Sequence, residues 1–377
     1  MRVTYTPFLH AKDGEFTALR RASEAQLSSV FPLFEIGAFT DKVAQLVRCR
    51  NEPAPICAHL GWVVDSICES VPTGPVMLDT FAWPLDARTE TGEVPIAFAL
   101  NALVERNREA VPVVGIDRWE DADYRAALKS LSSDAFPIWG LRMQTDEIDD
   151  AAEPEYFLES VAAVLHGLGL APKQVGIFFD FGDLRRKSTD DIIERVARAI
   201  DLLSPNGYRF YSVIGCSMPP SVAEAVKKPN TQGIVIRKEM LAWRELRTRY
   251  PTLAIAFGDY GIRGPASSDA PNPQHINGKI RYTAKSAFYV ARGQSVQKDD
   301  GEQMYRLSNI VASSPHFQGP AFSWGDSEIY RRAIRETKLG PGNANSWIQF
   351  DTSHHIAWTV VEVAEFEQSM AAVAVEI

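Results

Sequence analysis

Residues 253–262 read LAIAFGDYGI, an apolar run that breaks off at Gly258-Asp259-Tyr260-Gly261. A buried strand has no use for a carboxylate at its end unless that end lies at a turn or a site. The ending recurs. FPLFEIG (31–37) closes on Glu35, PVMLDTF (75–81) on Asp79, VPVVGID (111–117) on Asp117, and QVGIFFDFGD (174–183) on Asp180 and Asp183. FPIWGLRM (136–143) carries Arg142 at the matching place, and YTPFLHAK (5–12) carries Lys12. If these runs are parallel strands of one sheet, their ends form a single rim.

Working outward, apolar runs begin near residues 5, 31, 75, 111, 136, 174, 208 and 253, and most gaps hold amphipathic helical text such as PEYFLESVAAVLHGL and DDIIERVARAIDLL. In the latter, Ile192, Val196, Ile200 and Leu203 make one apolar stripe, with Asp191, Glu194 and Arg198 facing water. Continuous apolar strands alternating with helices indicate a parallel sheet covered by helices. Eight such units in about 260 residues, with no Gly-rich nucleotide loop after the first, fit a (β/α)8 TIM-like barrel better than an open doubly wound sheet. GIVIRKE (233–239) reads as an extra strand or a loop. We therefore expect a barrel over residues 1–265.

After the Pro-, Ser- and Asn-rich stretch GPASSDAPNPQHINGK the text changes character. Residues 266–377 read as a mixed α+β extension: a few strands, a helix near 325–337, and a further strand in HHIAWTVV. Adjacent His354 and His355 on a strand would face opposite ways, so one is expected to enter the barrel mouth while the other packs outside. The extension is expected to cover the mouth and to bring Arg281 and Tyr282 with it, while Asp326 reads as the cap of the helix that follows.

Composition narrows the function. The chain of 377 residues is 45% hydrophobic and 23% charged, which excludes disorder. A net charge of -9 argues against binding nucleic acid by phosphate neutralisation. The N-terminus has no apolar signal core, and no uninterrupted apolar segment is long enough to span a bilayer, so a cytoplasmic address without membrane partners is expected. Cys49, Cys57, Cys68 and Cys216 form no C-x-x-C pair and read as reduced thiols.

Several motifs occur together in one order: YTPFLHAKDGEFTAL, FPLFEI, FGDYGI, KIRYT, SWGDSEI and SWIQFDTSHHI. They span nearly the whole chain and resemble the phage "beta protein" family, found in T-even phages and bacterial genomes. The resemblance implies a phage-related or mobile-element context, including antiphage defence with a phage or operon-encoded protein as partner. It implies no reaction.

The chemistry is argued from the rim, because active sites of such barrels lie at the C-terminal ends of the strands. Glu35, Asp79, Asp180, Asp259 and His354 are the candidate catalytic groups. Lys12, Asp117, Arg142, Arg237, Tyr260, Arg281, Tyr282 and His355 are the candidate substrate-binding groups. Clustered carboxylates repel unless a cation sits among them. One solution is Mg²⁺ or another divalent ion on Asp180 and Asp259; the other is a mixed network with Lys12, Arg142, Arg237 and Arg281. Three functions are open: a metal-assisted hydrolase of a phosphate ester or nucleotide-like substrate, a non-catalytic barrel that binds a small molecule or a phage protein, and a glycosidase using two rim carboxylates. A glycosidase should present Trp62, Trp83, Trp139 or Trp324 as an exposed sugar platform.

Overall fold

The computed structural model describes residues 3–131, 135–265 and 277–375. Eight parallel strands close into a barrel: β1 Tyr5–Leu9, β2 Leu33–Glu35, β3 Val76–Asp79, β4 Ala110–Gly115, β5 Trp139–Met143, β6 Val175–Asp183, β7 Phe210–Cys216 and β9 Ile255–Asp259, with β9 pairing back onto β1. Each strand is the apolar run seen in the sequence. The helix Thr189–Leu203 shows how the outer layer forms: the Ser188 side chain caps its first turn by accepting from the Asp191 amide, and Ile192, Val196, Ile200 and Leu203 are all buried. The stretch after β1 forms two helices, Asp13–Arg20 and Glu24–Leu27. No described helix is long and apolar enough to cross a membrane.

Between β7 and β9 the chain leaves the barrel. GIVIRKE forms a strand: β8, Thr231–Ile236, pairs antiparallel with β11 Ala287–Ser295, which pairs with β10 Asn277–Ala284. This small sheet thus takes one of its three strands from within residues 1–265. On its barrel-facing side Phe288 and Val290 join Met218, Tyr260 and Ile262 in the cluster that fills the barrel interior. The guanidinium of Arg281 donates to the Ile262 carbonyl at 3.2 Å, just past the end of β9. The sheet therefore sits against the β7–β9 side of the mouth.

HHIAWTVV is not a strand. It lies within a helix, Ala344–Val375, that packs between barrel and sheet. Ile356 and Val363 belong to the outer core of the barrel, whereas Trp347 and Phe350 belong to the core of the sheet. A helix enclosed on several sides carries apolar residues all round, which erases the 3.6-residue stripe and leaves a β-branched run. Likewise Ser323, not Asp326, caps the helix Trp324–Ala333: its hydroxyl accepts from the Asp326 amide at 3.1 Å and donates to the Asp326 carboxylate at 2.6 Å.

Candidate functional site at the barrel mouth

Side chains alternate along each barrel strand between the lumen and the helical layer. Phe8, Leu33, Met77, Val113 and Phe178 form a lumen layer. Gly140 completes it without a side chain, since a Cβ there would lie 2.7 Å from the Phe178 ring. Two residues further along the same strands stand Glu35, Asp79, Gly115, Arg142 and Asp180, with His10 just past the end of β1. The phase of β9 is set by Gly258, whose added Cβ would meet Ile214, Ser212 and Thr6 inside the barrel, so Tyr260 also faces the lumen.

These residues form one network around Arg142. Its Nη1 donates to Glu35 Oε2 and Asp79 Oδ2, each at 2.8 Å. Its Nε and Nη2 donate to Asp180 Oδ2 at 2.9 and 2.6 Å. Tyr260 donates to the same oxygen at 2.5 Å and accepts from Nη2 at 2.8 Å. Arg118, beyond β4, adds an ion pair with Asp79 at 3.0 Å. The Arg142 guanidinium lies 5.2 Å from the Phe8 ring centroid and 4.7 Å from that of Phe81.

The environment displaces the titrations. Burial pushes the Glu35 carboxyl up, and Asp79 and Asp180 add to it against the pull of Arg142. Burial also works against ionisation of Asp79, but Arg118 and Arg142 more than offset it and hold that carboxyl below its ordinary value. The Arg142 guanidinium is held charged by Tyr260, Asp180, Asp79 and Glu35 despite its burial. His10 is lowered to about 4, first by burial and then by the charges of Arg263 and Lys12. Its Nε2 is buried and has no hydrogen-bond partner among the described residues. His10 directly follows the end of β1, and its ring centroid lies 6.5 Å from that of Tyr260.

Asp259 points the other way. Its neighbours in β9 and β1, Phe257 and Tyr5, belong to the outer core. Its carboxylate accepts from Tyr5 Oη at 3.0 Å, the Gly261 amide at 3.0 Å, His355 Nε2 at 2.9 Å and Arg237 Nη2 at 3.2 Å. Gly261 supplies this amide from a left-handed backbone, φ +61°. Arg237 continues to Glu362 at 2.7 Å and Glu362 to Arg244 at 2.9 Å. Burial opposes ionisation of Asp259, but His355, Arg237 and the Gly261 amide outweigh it and hold the carboxyl down to about 2. Burial lowers the His355 ring against the pull of Asp259, and its Nδ1 lies 2.8 Å from the Thr283 hydroxyl.

A third network is separate again. His354 Nδ1 faces Asp326 Oδ2 at 2.8 Å, Tyr282 donates to Asp326 Oδ1 at 2.6 Å, and the two rings stack at 3.7 Å. The expected placements therefore divide. Glu35, Asp79, Arg142, Asp180 and Tyr260 meet at the mouth. Asp259, Arg237 and His355 join the barrel to the C-terminal helix, Arg281 pairs with Asp351 at 3.1 Å beside Ile262, and Tyr282 and His354 face the core of the small sheet. Asp117 is exposed, 3.6 Å from Arg118, and Lys12 is exposed at the head of the helix Asp13–Arg20.

The metal site does not fit these residues. Asp180 and Asp259 lie in different networks, and their oxygens are taken by guanidinium, hydroxyl, imidazole and amide donors. No group of three or more His, Cys, Asp or Glu among the described residues could hold a metal ion. The mixed network with guanidinium is the solution present. Nor is there a tryptophan platform: Trp83 and Trp139 are buried and donate to the Ile36 and Phe136 carbonyls, Trp62 packs under Arg48, and Trp324 packs on Phe350.

His10 and Arg118 were not singled out from the sequence. His10 was legible in principle, because it stands two residues beyond Phe8 in the phase that carries Glu35 beyond Leu33. Arg118 lies on a loop whose course no periodicity reveals.

Comparison with protein-family models matches residues 5–361 to the family described as Beta protein. Comparison with curated proteins gives no match.

Proposed function

The chain belongs to the beta protein family, and on that premise we propose that it is a phage-related protein whose barrel mouth binds a small polar molecule and catalyses proton transfer on it, as a hydrolase that needs no metal. The observation that carries this reading is that His10 and Glu35 flank one network, His10 beside the Tyr260 ring and Glu35 on Arg142, with titrations displaced in opposite senses. Environments that separate two such groups assign them acid and base roles. Glu35 is the proton donor to a leaving group. The unpartnered Nε2 of His10 accepts the proton of the attacking water. Arg142 is not the ligand's cation, since three carboxylates already engage it; it fixes Glu35, Asp79 and Asp180 in place.

The test is a panel of phosphate esters and glycosides assayed with a chelator present, using the wild type, Glu35→Gln and His10→Phe. Turnover should survive the chelator and fall by about 10²-fold or more in each variant, the usual worth of a positioned acid or base. Turnover that requires a divalent ion, or that neither variant changes, removes the reading. A second reading, binding without turnover, is favoured by the enclosure of the Arg142 network. It predicts a ligand retained unchanged by the wild type and lost by both variants.

A further inference from the structure

The small sheet has the strand order β10-β11-β8, which leaves β8 at its edge. Just past Ile236 the Arg237 amide donates to the Ser286 carbonyl at 2.9 Å, carrying the ladder with β11 one position further. Hydrogen-bonding direction alternates along an antiparallel strand. Thr231, Gly233 and Val235 therefore turn their backbone N–H and C=O groups to β11, and Gln232, Ile234 and Ile236 turn theirs outward. None of these outward groups has a hydrogen-bond partner among the described residues. The same three residues share one face of the sheet, and theirs are the exposed side chains of the strand, Ile234 at 49% and Ile236 at 50%. On that face Gln232 and Ile234 stand opposite Ala291 and Tyr289 of β11, both members of the core of the small sheet. That core thus runs out to β8 and ends there with two isoleucines half in water.

Exposed edges are ordinarily guarded by charge or proline, and TQGIVI carries neither. The charges that follow it are turned away. Arg237 is buried on Glu362 and Asp259, and the Lys238 ammonium is held by the carbonyls of Leu184, Arg185 and Lys187 at 3.0, 3.1 and 2.7 Å. Lys228, the nearest charge before the strand in the chain, lies outside it. An uncharged edge is matched by an uncharged, β-branched strand, and this chain carries such a strand in β8 itself. Two copies of β8 set antiparallel about a two-fold axis through Ile234 place Ile234 opposite Ile234 and Gln232 opposite Ile236. Every outward group then meets an outward group of the other copy, and no like charges face each other along the pair. The axis stands perpendicular to the sheet, so the isoleucines of both copies lie on the same side and cover one another.

We propose that β8 is a homodimerisation edge, on which a second copy of this chain pairs antiparallel and joins the two small sheets into one. The interface is isologous, the same strand from each copy. Pairing through a single short strand is small for a specific interface, so the dimer forms reversibly with concentration.

Sedimentation equilibrium of the full chain from micromolar to near-millimolar concentration, at low ionic strength, tests this. The wild-type mass should rise with concentration from the 41.8 kDa of one chain towards twice that value. Ile234→Lys sets two ammonium groups against each other on the axis and should weaken the dimer tenfold or more. Ile234→Glu should do the same with two carboxylates. An equimolar mixture of the two variants sets ammonium against carboxylate and should recover the dimer, which also shows that both variants are folded. A wild type that stays monomeric throughout overturns the proposal, as does a dimer that Ile234→Lys leaves unchanged. Failure of the mixture to associate where the wild type does overturns the pairing through Ile234.

Discussion

Asp259 ends β9 in the outward phase, and this changes what its substitution does. A rim carboxylate reserved for ligand would tolerate amidation; one that accepts four hydrogen bonds among buried partners does not. Asp259→Asn sets an amide NH2 against either Arg237 and His355 or Tyr5 and the Gly261 amide. We expect a loss of about 3 kcal/mol, the usual cost of breaking a buried ion pair on one side. Glu35→Gln should stay within about 1 kcal/mol of wild type at neutral pH, because Glu35 is the least enclosed acid of its network. Chemical denaturation of both variants checks the contrast; equal stabilities would return Asp259 to the site. The pH dependence has opposite signs at the two positions. The folded pKa of Asp259 is depressed, so its contribution is present above its unfolded value and lost as pH falls through about 2. The gap between wild type and Asp259→Asn should therefore close on acidification from pH 5 towards pH 2. For Glu35 the folded pKa is raised, so its contribution is present below the unfolded value and lost as pH rises through the folded one. Glu35→Gln, which resembles the protonated acid, should match wild type near pH 4 and gain on it towards pH 8, followed as melting temperature. No periodicity argument on one strand alone separates these two acids, since each closes an apolar run. The separation needs the phase of that run, and Phe8, Leu33 and Met77 reveal it only once they are known to share the lumen.

The strands and most helices were legible because each repeats one physical signal: a short apolar run for a strand buried on both faces, or a stripe of period 3.6 for a helix buried on one. Where burial departs from those two cases the reading fails. The helix Ala344–Val375 is enclosed by barrel and sheet, so Ile356, Ala357, Thr359 and Val363 are buried on more than one side and the text resembles a strand. β8 shows the converse, alternating exposed and half-buried residues because it lies at the edge of a sheet with Ile234 and Ile236 about half exposed. Edge strands are ordinarily blunted by charge, proline or short length. TQGIVI has six residues and neither charge nor proline, so its edge lacks the usual guards against pairing with another chain. The double substitution Ile234→Lys, Ile236→Lys should leave the melting temperature nearly unchanged, since exposed positions usually contribute within about 0.5 kcal/mol. It should also lower self-association at high concentration in light scattering. A large fall in melting temperature would mean that these side chains pack in the folded monomer, contrary to their exposure.

At the scale of the whole molecule, the mouth was legible as a rim of acids because barrel topology gathers strand ends that are far apart in the sequence. What the extension does to that rim was legible only in part, since its contacts are made by residues more than 90 positions away, as between Asp259 and His355. These contacts bear on how the molecule unfolds. Residues 1–265 include β8, whose ladder partner β11 lies in the extension, and Arg237, which is fully buried against Glu362 and Asp259. Without the extension, β8 loses its ladder, Arg237 and Asp259 lose Glu362 and His355, and Trp243 loses the Phe366 ring that packs 5.1 Å from it. An uncompensated buried charge costs about 3–5 kcal/mol by itself, comparable with the 5–15 kcal/mol that stabilises a whole domain. We therefore expect residues 1–265 expressed alone to lack cooperative unfolding and native near-ultraviolet circular dichroism. The full chain should unfold in one transition that coincides when followed by far- and near-ultraviolet signals. A fragment with a sharp transition of its own, or two resolved steps in the full chain, would show that the extension is an independent unit and that the networks of Arg237 and Asp259 do not hold the barrel together.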